Sequence, residues 1–244
     1  MYKLHDNGLI GYENTGETEF SLYGTDSEKV YIDNLKTQPK DWFYRDNRFR
    51  YIRNSNGHRS VEVFELPKDF ILFAGCSLTE GIGVKLQDSY ADKVANHFNL
   101  GYYNLALNGA GPDLVSHNLS MWFKNIKLLP KYVVIQWPSP HRVFYKSSNN
   151  VYPLGPWSCK PNTVDVISNN AWEAYGSMIT TDFFEHYIEI FKSTFKPLLE
   201  ISNIKVFQFT AEDIEIIDYA RDLKHPGIES HNKLAEKVIQ YLAN

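Results

Sequence analysis

Residues 70–77 read FILFAGCS, a continuous apolar run that ends at a glycine and leads to a serine. Five consecutive apolar residues without polar alternation are typical of a strand that is buried on both faces, as in parallel sheets. Ligands of such sheets bind outside the carboxyl ends of the strands. The stretch therefore predicts the first strand of a parallel sheet, with the Ser77 hydroxyl at the end where a ligand would bind.

Strand and helix patterns alternate along the rest of the chain. Apolar residues recur at helical spacing in four segments, at residues 89–98, 113–128, 182–201 and 228–242. Short β-branched or aromatic runs predict three further strands, at residues 102–106, 132–137 and 204–209. Parallel strands need crossover connections, which are usually helical, so the alternation predicts a three-layer α/β/α fold with a mostly parallel sheet.

Two regions lack this alternation. Residues 1–66 carry turn signals, such as NSNG at residues 54–57, but no sustained helical period, so they predict strands and loops. We expect them to form an extension that packs on a main domain at residues 67–244. Residues 138–180 are rich in proline, serine, asparagine and aromatic residues, and an insertion of that length is typical of a lid, a binding loop or a small subdomain.

Composition excludes several classes of protein. Of 244 residues, 43% are hydrophobic and 22% are charged, which is typical of a globular chain with a sizeable core. Lys and Arg total 25 against 29 for Asp and Glu, and no long basic block is present, so nucleic acid is not an expected partner. The longest apolar stretch, residues 70–74, is far too short to span a membrane.

The two cysteines, Cys76 and Cys159, give no disulfide framework and no CxxC metal motif, so a reducing compartment is the default expectation. The first residues also lack the charged and apolar pattern of a secretory leader. We therefore expect a cytoplasmic protein, and association with a phage or virion stays open.

Aromatic residues are numerous, with 5 Trp, 16 Tyr and 15 Phe. Their rings could line a groove for a sugar or an acyl chain, because a ring offers a large contact area at low entropic cost. Packing of a small extra layer would use them equally well. Both alternatives apply to Tyr145, Tyr152, Trp157 and Trp172 of the insertion.

Asp222 and His225 lie three residues apart in a loop that Pro226 and Gly227 mark, directly before the last predicted helix. At this spacing the loop can fold Asp222 back to accept a hydrogen bond from His225 Nδ1, which leaves Nε2 free as a base. Together with a serine at a strand end, this pair predicts nucleophilic catalysis.

Ser77, Asp222 and His225, in that chain order, resemble the SGNH or GDSL hydrolase superfamily of esterases and lipases. Its first signature is usually Gly-Asp-Ser-Leu with a glycine nearby, and residues 75–81 match it except that cysteine replaces the aspartate. The last signature, Asp-x-x-His followed by proline, matches at residues 222–226. The resemblance implies a flavodoxin-like order of strands, with Ser77 as nucleophile, His225 as base and Asp222 as the residue that orients it.

The same resemblance implies an oxyanion hole, whose donors must point at the charge that develops on a tetrahedral intermediate. Residues 104–111 read NLALNGAG and look like the second signature, which makes the N–H of Gly109 a donor beside that of Ser77. The asparagine of the third signature, Gly-x-Asn-Asp, falls at Pro140, which has no N–H. Loss of one donor typically costs about a hundred- to a thousandfold in turnover, so this departure indicates a weak, re-equipped or inactive site.

Residues near Pro140 are candidates to bind substrate or to replace the missing donor. We expect Trp137, Ser139, His141 and Arg142 to shape the pocket. Arg142 could stabilise the oxyanion or hold an acidic group of the substrate. A surface arginine without such a role is the alternative.

Neither a metal nor an organic cofactor is expected, because the histidines show no HxH or HExxH spacing and serine chemistry needs only donors and a base. Cys76 would be an alternative, thiol nucleophile. Adjacent residues leaving a strand point to opposite sides, so Cys76 should pack inside if Ser77 faces the cleft. We expect Glu80 and Asp88 to be solvated or capping groups.

The sequence thus predicts a serine esterase that hydrolyses an ester, in particular an O-acyl group such as acetyl on a carbohydrate, through an acyl-enzyme intermediate. The carbohydrate substrate is suggested only by the aromatic residues and by the resemblance. One alternative is a weak or inactive module that binds a ligand on the same fold. Another is an O-acyltransferase. The expected partner is a small-molecule or glycan ester, and no oligomeric state is predicted.

Overall fold

The computed structural model describes residues 2–21, 24–147, 149–155, 175–177 and 183–244. Its strands are β1 Tyr2–Leu4, β2 Ile10–Tyr12, β3 Gly16–Thr18, β4 Tyr51–Arg53, β5 Phe70–Ala74, β6 Gly101–Asn104, β7 Tyr132–Trp137, β8 Val143–Ser147, β9 Asn150–Leu154 and β10 Lys205–Thr210. Its α-helices are α1 Glu28–Thr37, α2 Ser77–Glu80, α3 Tyr90–His97, α4 Pro112–Met121, α5 Phe183–Ile201 and α6 Ile228–Ala243.

The central sheet has the order β10-β7-β5-β6, and all of its pairings are parallel. Numbered along the chain, its strands stand in the order 2-1-3-4, which is the order of flavodoxin-like sheets. The predicted α/β fold with a parallel, flavodoxin-like sheet is therefore confirmed.

Side chains of β5 alternate between the two faces of this sheet, as the two-residue period of a strand requires. Ile71 and Phe73 lie in a hydrophobic cluster with residues of α3 and α6, namely Tyr90, Val94, Leu234 and Val238. Phe70, Leu72 and Ala74 lie in a second cluster with residues of α4 and α5, namely Leu114, Leu119, Ile188 and Leu199. Helices thus cover both faces and complete the three layers. No helix in the described part of the chain is long and apolar enough to cross a membrane.

A second, antiparallel sheet has the order β2-β1-β9-β8 and joins two distant parts of the chain. Strands β8 and β9 form a hairpin inside the 138–180 insertion, where the sequence predicts little regular structure. Apolar and polar residues do not alternate cleanly in this hairpin, which explains why its strands are missed. Trp157, Cys159 and Trp172 lie outside the described residues.

Helix α1 contradicts the prediction that residues 1–66 contain only strands and loops. Ser27 caps it by accepting the backbone N–H of Val30 at 3.4 Å, and Glu28 and Lys36 complement its dipole. Only Tyr31 of this helix is buried. The apolar stripe is therefore too narrow to give a clear helical period.

The predicted helix at residues 113–128 is shorter than expected. Its regular part, α4, ends at Met121 and continues as a π-helix over Trp122–Ile126. Lys127 then adopts a left-handed conformation with φ of 61°, which ends the helix.

Residues of β1 and β2 belong to the same hydrophobic cluster as β5. Tyr2, Leu9, Ile10 and Tyr12 are fully buried in it. The segment before residue 67 therefore packs on the central sheet, whereas the predicted boundary between residues 66 and 67 stays a prediction.

Candidate active site

Ser77 is the first residue of α2 and follows a tight turn at the end of β5. Gln136 of β7 fixes this turn, because its Oε1 accepts the N–H of Cys76 at 3.2 Å and the hydroxyl of Thr79 at 2.8 Å. A Cβ atom at Gly75 would lie 2.5 Å from Thr79 Oγ1 and 2.9 Å from Gln136 Oε1, so only glycine fits. The turn thus presents Ser77 at the carboxyl edge of the sheet.

Cys76 is buried in the hydrophobic cluster that contains β5, as expected. Within the described residues, Ser77 Oγ makes its polar contact with Cys76 Sγ, at a distance of 4.0 Å. A thiol in this position packs against the core and does not face the cavity.

Asp222 and His225 form a hydrogen-bonded pair in the loop before α6. Asp222 Oδ2 lies 2.6 Å from His225 Nδ1, and Asp222 Oδ1 accepts the backbone N–H groups of Lys224 and His225 at 3.0 Å each. A carboxylate can only accept, so Nδ1 carries the proton and Nε2 is left as the basic nitrogen. The sequence prediction that Asp222 folds back on His225 thus matches the geometry of this loop.

Asp222 is 2% exposed. Burial by itself would raise the pKa of its carboxyl, but the hydrogen bonds and charge of His225, together with the Thr25 hydroxyl, outweigh burial and lower the pKa to about 2. The carboxylate is therefore ionised at all ordinary pH values and can stabilise a protonated His225.

The backbone of this loop is held on both sides. The N–H of Ala220 donates to the carbonyl of His225 at 2.9 Å, and the N–H of Arg221 donates to the carbonyl of Gly83 at 3.0 Å. Leu223 adopts φ of 56°, a left-handed conformation that costs a non-glycine residue of order 1–2 kcal/mol. Strain of this kind persists only where surrounding contacts determine the conformation.

Thr25 is a member of the site that sequence reasoning missed. Its hydroxyl donates to Asp222 Oδ2, and its Oγ1 lies 3.3 Å from His225 Nδ1. It comes from a loop about 200 positions away, and no motif or spacing marks it. Only the packing of the segment before residue 67 on the sheet brings it to the pair.

Gly109 lies in the loop after β6 with φ of 79°, a conformation that favours glycine. Within the described residues, neither its N–H nor the N–H of Ser77 donates a hydrogen bond. Two unpaired backbone donors are what an oxyanion hole requires.

Glu80, the last residue of α2, is fully buried and neither solvated nor capping, so that expectation was wrong. It forms a buried ion pair with Arg53 at 3.1 Å, and its Oε2 accepts the backbone N–H of Asn108 at 2.7 Å. Arg53 lies in the polar segment before residue 67, so a separation of 27 residues hides the pairing from sequence inspection.

A cavity of about 560 Å³ brings most of these groups together. It is lined by Ser77, His225, Gly109, Thr25 and Arg142, and further by Tyr2, Gly24, Asn108, Val151, Tyr152 and Pro153. Asp222 lies behind His225. The predicted nucleophile, base and oxyanion donors thus share one cavity, whose walls come partly from the segment before residue 67 and from β9.

The four residues predicted to bind substrate do not lie together. Arg142 lines the cavity of Ser77, whereas Trp137 and Ser139 line a second one of about 480 Å³ with Pro140. The Trp137 side chain is fully buried, and its indole N–H donates to Gln208 Oε1 at 2.9 Å. The carbonyl of His141 accepts the hydroxyl of Tyr175, and His141 lines neither cavity.

Metal-ligating side chains do not cluster in the part of the chain that the structure describes. No group of three or more His, Cys, Asp or Glu residues in that part could hold a metal ion.

Comparisons with known proteins give matches among solved structures only. No protein-family model and no curated protein matches the chain. An acetyl xylan esterase from the rumen bacterium Butyrivibrio proteoclasticus is similar with a TM-score of 0.42 and 15% identity, over 73% of this chain and 64% of that one. This chain therefore spans less than two thirds of the length of that esterase.

Two further solved structures have lower TM-scores. A psychrotrophic esterase from Pseudoalteromonas is similar with a TM-score of 0.38 and 12% identity, over 71% of this chain and 96% of that one. A member of the lipolytic G-D-S-L family from Veillonella parvula has a TM-score of 0.37 and 14% identity, over 72% and 98% of the two chains.

Proposed function

We propose that the chain is a serine esterase of the SGNH or GDSL type that hydrolyses an acyl ester. The observation that carries the proposal is the 2.6 Å contact between Asp222 Oδ2 and His225 Nδ1 at the wall of the cavity that also holds Ser77. This contact sets the tautomer that a general base needs, and two backbone N–H groups without an acceptor among the described residues lie at the same cavity.

In the proposed reaction, Ser77 Oγ attacks the acyl carbonyl while His225 Nε2 takes its proton. The N–H groups of Ser77 and Gly109 hold the oxyanion, and Asp222 stabilises the imidazolium. His225 then protonates the leaving alcohol, which leaves an acyl-serine. A water molecule, deprotonated by His225, attacks this ester and releases the acid and the free serine.

Arg142 is the candidate to replace the donor that Pro140 cannot supply. Of the four residues predicted to bind substrate, Arg142 is the one that lines the cavity of Ser77. Its cation could either stabilise the oxyanion or hold an acidic group of the substrate. The ring of Tyr152 at the cavity wall would suit an O-acylated sugar, which we propose as the substrate class.

Labelling with a fluorophosphonate tests the proposal without knowledge of the substrate, because this probe reacts with an activated serine. Intact mass would be measured for the wild-type chain, for Ser77→Ala and for His225→Ala, each shown to be folded by circular dichroism. We expect one adduct on the wild type and none on the variants. Absence of an adduct on the folded wild type would refute a working nucleophile.

A binding module without turnover is the second candidate, and two observations favour it. Pro140 removes one expected donor, and no hydrogen bond joins Ser77 Oγ to His225 in the described structure. This candidate would be supported if the wild-type chain bound an acylated sugar but did not react with the fluorophosphonate. Acyl transfer to a sugar hydroxyl would instead appear as an acylated product when an acceptor sugar competes with water.

A further inference from the structure

Both backbone groups of Asn108, the residue before Gly109, are held by buried side chains. Its N–H donates to Glu80 Oε2 at 2.7 Å, and its carbonyl oxygen accepts the hydroxyl of Tyr2. Glu80 and Tyr2 come from different elements, α2 and β1, and Tyr2 is 1% exposed. The loop that carries Gly109 is therefore fixed from two directions.

The carbonyl of Asn108 and the N–H of Gly109 belong to the same peptide group. That group is planar and trans, so its C=O and N–H bonds point in opposite directions. A hydrogen bond that fixes the carbonyl therefore also fixes the direction of the N–H. Without such an anchor, a glycine with φ of 79° has neighbouring conformations in which its N–H points in another direction.

The charge of Glu80, which holds the backbone of Asn108, is balanced by that of Arg53. The carboxylate of Glu80 would by itself oppose negative charge on a nearby oxyanion, but Arg53 pairs with it at 3.1 Å and both side chains are fully buried. Tyr12 also donates its hydroxyl to Glu80 Oε2 at 3.0 Å. Burial, the largest cause, raises the pKa of both the Tyr2 and the Tyr12 hydroxyl far above neutrality, so both remain donors.

We propose that Tyr2 and Glu80 are positioning residues for the oxyanion hole, which they align by fixing the peptide group between Asn108 and Gly109. This inference depends on the proposed esterase function. It makes the segment before residue 67 part of the working site, whereas the sequence predicts only an extension that packs on the main domain.

Tyr2→Phe tests the proposal, because it keeps the ring and removes the hydroxyl. Tyr31→Phe is a matched control, since the buried hydroxyl of Tyr31 also donates to a backbone carbonyl, that of Tyr44 at 3.0 Å, outside the cavity of Ser77. Turnover of p-nitrophenyl acetate and the rate of fluorophosphonate labelling would be measured for wild type and both variants.

We expect Tyr2→Phe to lower kcat and the labelling rate at least tenfold, with KM within about twofold, because complete loss of one oxyanion donor costs about a hundredfold or more. Tyr31→Phe should stay within about twofold of the wild type. Equal effects of the two variants, or an unchanged kcat in Tyr2→Phe, would overturn the proposal.

A wild-type chain that neither turns over the ester nor reacts with the probe would instead refute the proposed function. If Tyr2→Phe does not fold, Glu80→Asp provides the test, because it keeps the charge beside Arg53 and withdraws the carboxylate from the N–H of Asn108. We expect Glu80→Asp to lower kcat while KM stays within about twofold, as for Tyr2→Phe. An unchanged kcat in Glu80→Asp would count against the positioning role.

Discussion

Arg221 and Asp26 form a bidentate ion pair in the interior of the protein. Arg221 Nε donates to Asp26 Oδ1 at 2.9 Å and a terminal nitrogen donates to Oδ2 at 2.8 Å, with both side chains 1% exposed. Arg221 directly precedes Asp222, and Asp26 directly follows Thr25. The pair therefore holds together the two chain segments that supply the Asp222–His225 contact and the hydroxyl beside it.

Asp26→Asn should destabilise the fold strongly, because it leaves the Arg221 cation buried without a counter-charge. Breaking a buried pair from one side typically costs about 3 to 5 kcal/mol. Urea unfolding of the variant and of wild type would measure the difference. Asp26→Asn combined with Arg221→Met should recover part of it, since no unpaired charge is then left in the interior.

The surface pair of Asp33 and Lys36, at 2.8 Å, supplies the control for this prediction. Both side chains are more than half exposed, so Asp33→Asn should leave the free energy of unfolding unchanged within error. Equal effects of Asp26→Asn and Asp33→Asn would show that the buried pair does not hold the two segments together.

Thr25→Val should slow the proposed reaction while the chain stays folded, because valine keeps the shape and removes the hydroxyl that donates to Asp222. The hydroxyl helps to hold the carboxylate that orients His225, and misplacement of a catalytic group by about 1 Å can cost about a hundredfold in rate, so we expect kcat to fall about tenfold. Turnover of p-nitrophenyl acetate would measure it. Thr25→Ser restores the hydroxyl and should restore most of kcat, and a Ser variant as slow as the Val variant would contradict this role.

Gly75→Ala should disturb the turn before Ser77. The added Cβ would meet Thr79 Oγ1 at 2.5 Å and Gln136 Oε1 at 2.9 Å, the atoms whose hydrogen bonds fix the turn. Overpacking of this kind costs about 1 to 3 kcal/mol, and we also expect slower fluorophosphonate labelling of Ser77.

Gly176→Ala is the matched control for this substitution, because no atom of the described residues lies within 4 Å of a Cβ at Gly176. It should change neither the melting temperature nor the labelling rate. A Gly75 variant that behaves like the Gly176 variant would mean that the turn tolerates a side chain.

The central sheet and the Asp222–His225 pair could be predicted from the sequence because their signals are local. An unbroken apolar run at residues 70–74 predicts a buried strand, and a spacing of three residues lets Asp222 reach His225 within one loop. Neither inference needs knowledge of how distant segments pack.

The rest of the site could not be predicted, because it depends on long-range packing. Glu80 is an ordinary charged residue in the sequence, and its burial follows only from the docking of Arg53 and Tyr12 against it. Thr25 reaches Asp222 only because the segment before residue 67 packs on the sheet. Trp137, expected to shape the pocket because it lies near Pro140, has instead a fully buried side chain that stacks on Phe191.

The lowered pKa of Asp222 predicts how stability depends on pH. A carboxyl whose pKa falls from its ordinary 3.8 to about 2 on folding stabilises the folded state above pH 4, and this contribution disappears as the pH falls toward 2. At 1.36 kcal/mol per unit it amounts to about 2 kcal/mol. We expect the free energy of unfolding of wild type to exceed that of Asp222→Asn by a margin that shrinks between about pH 5 and pH 2.5.

Ser77→Ala is the control for this prediction. It removes no titrating group, so its difference from wild type in the free energy of unfolding should be the same at each pH. If the difference between wild type and Asp222→Asn also stayed the same at each pH, the carboxylate would not be stabilised by His225 and Thr25 in the folded state.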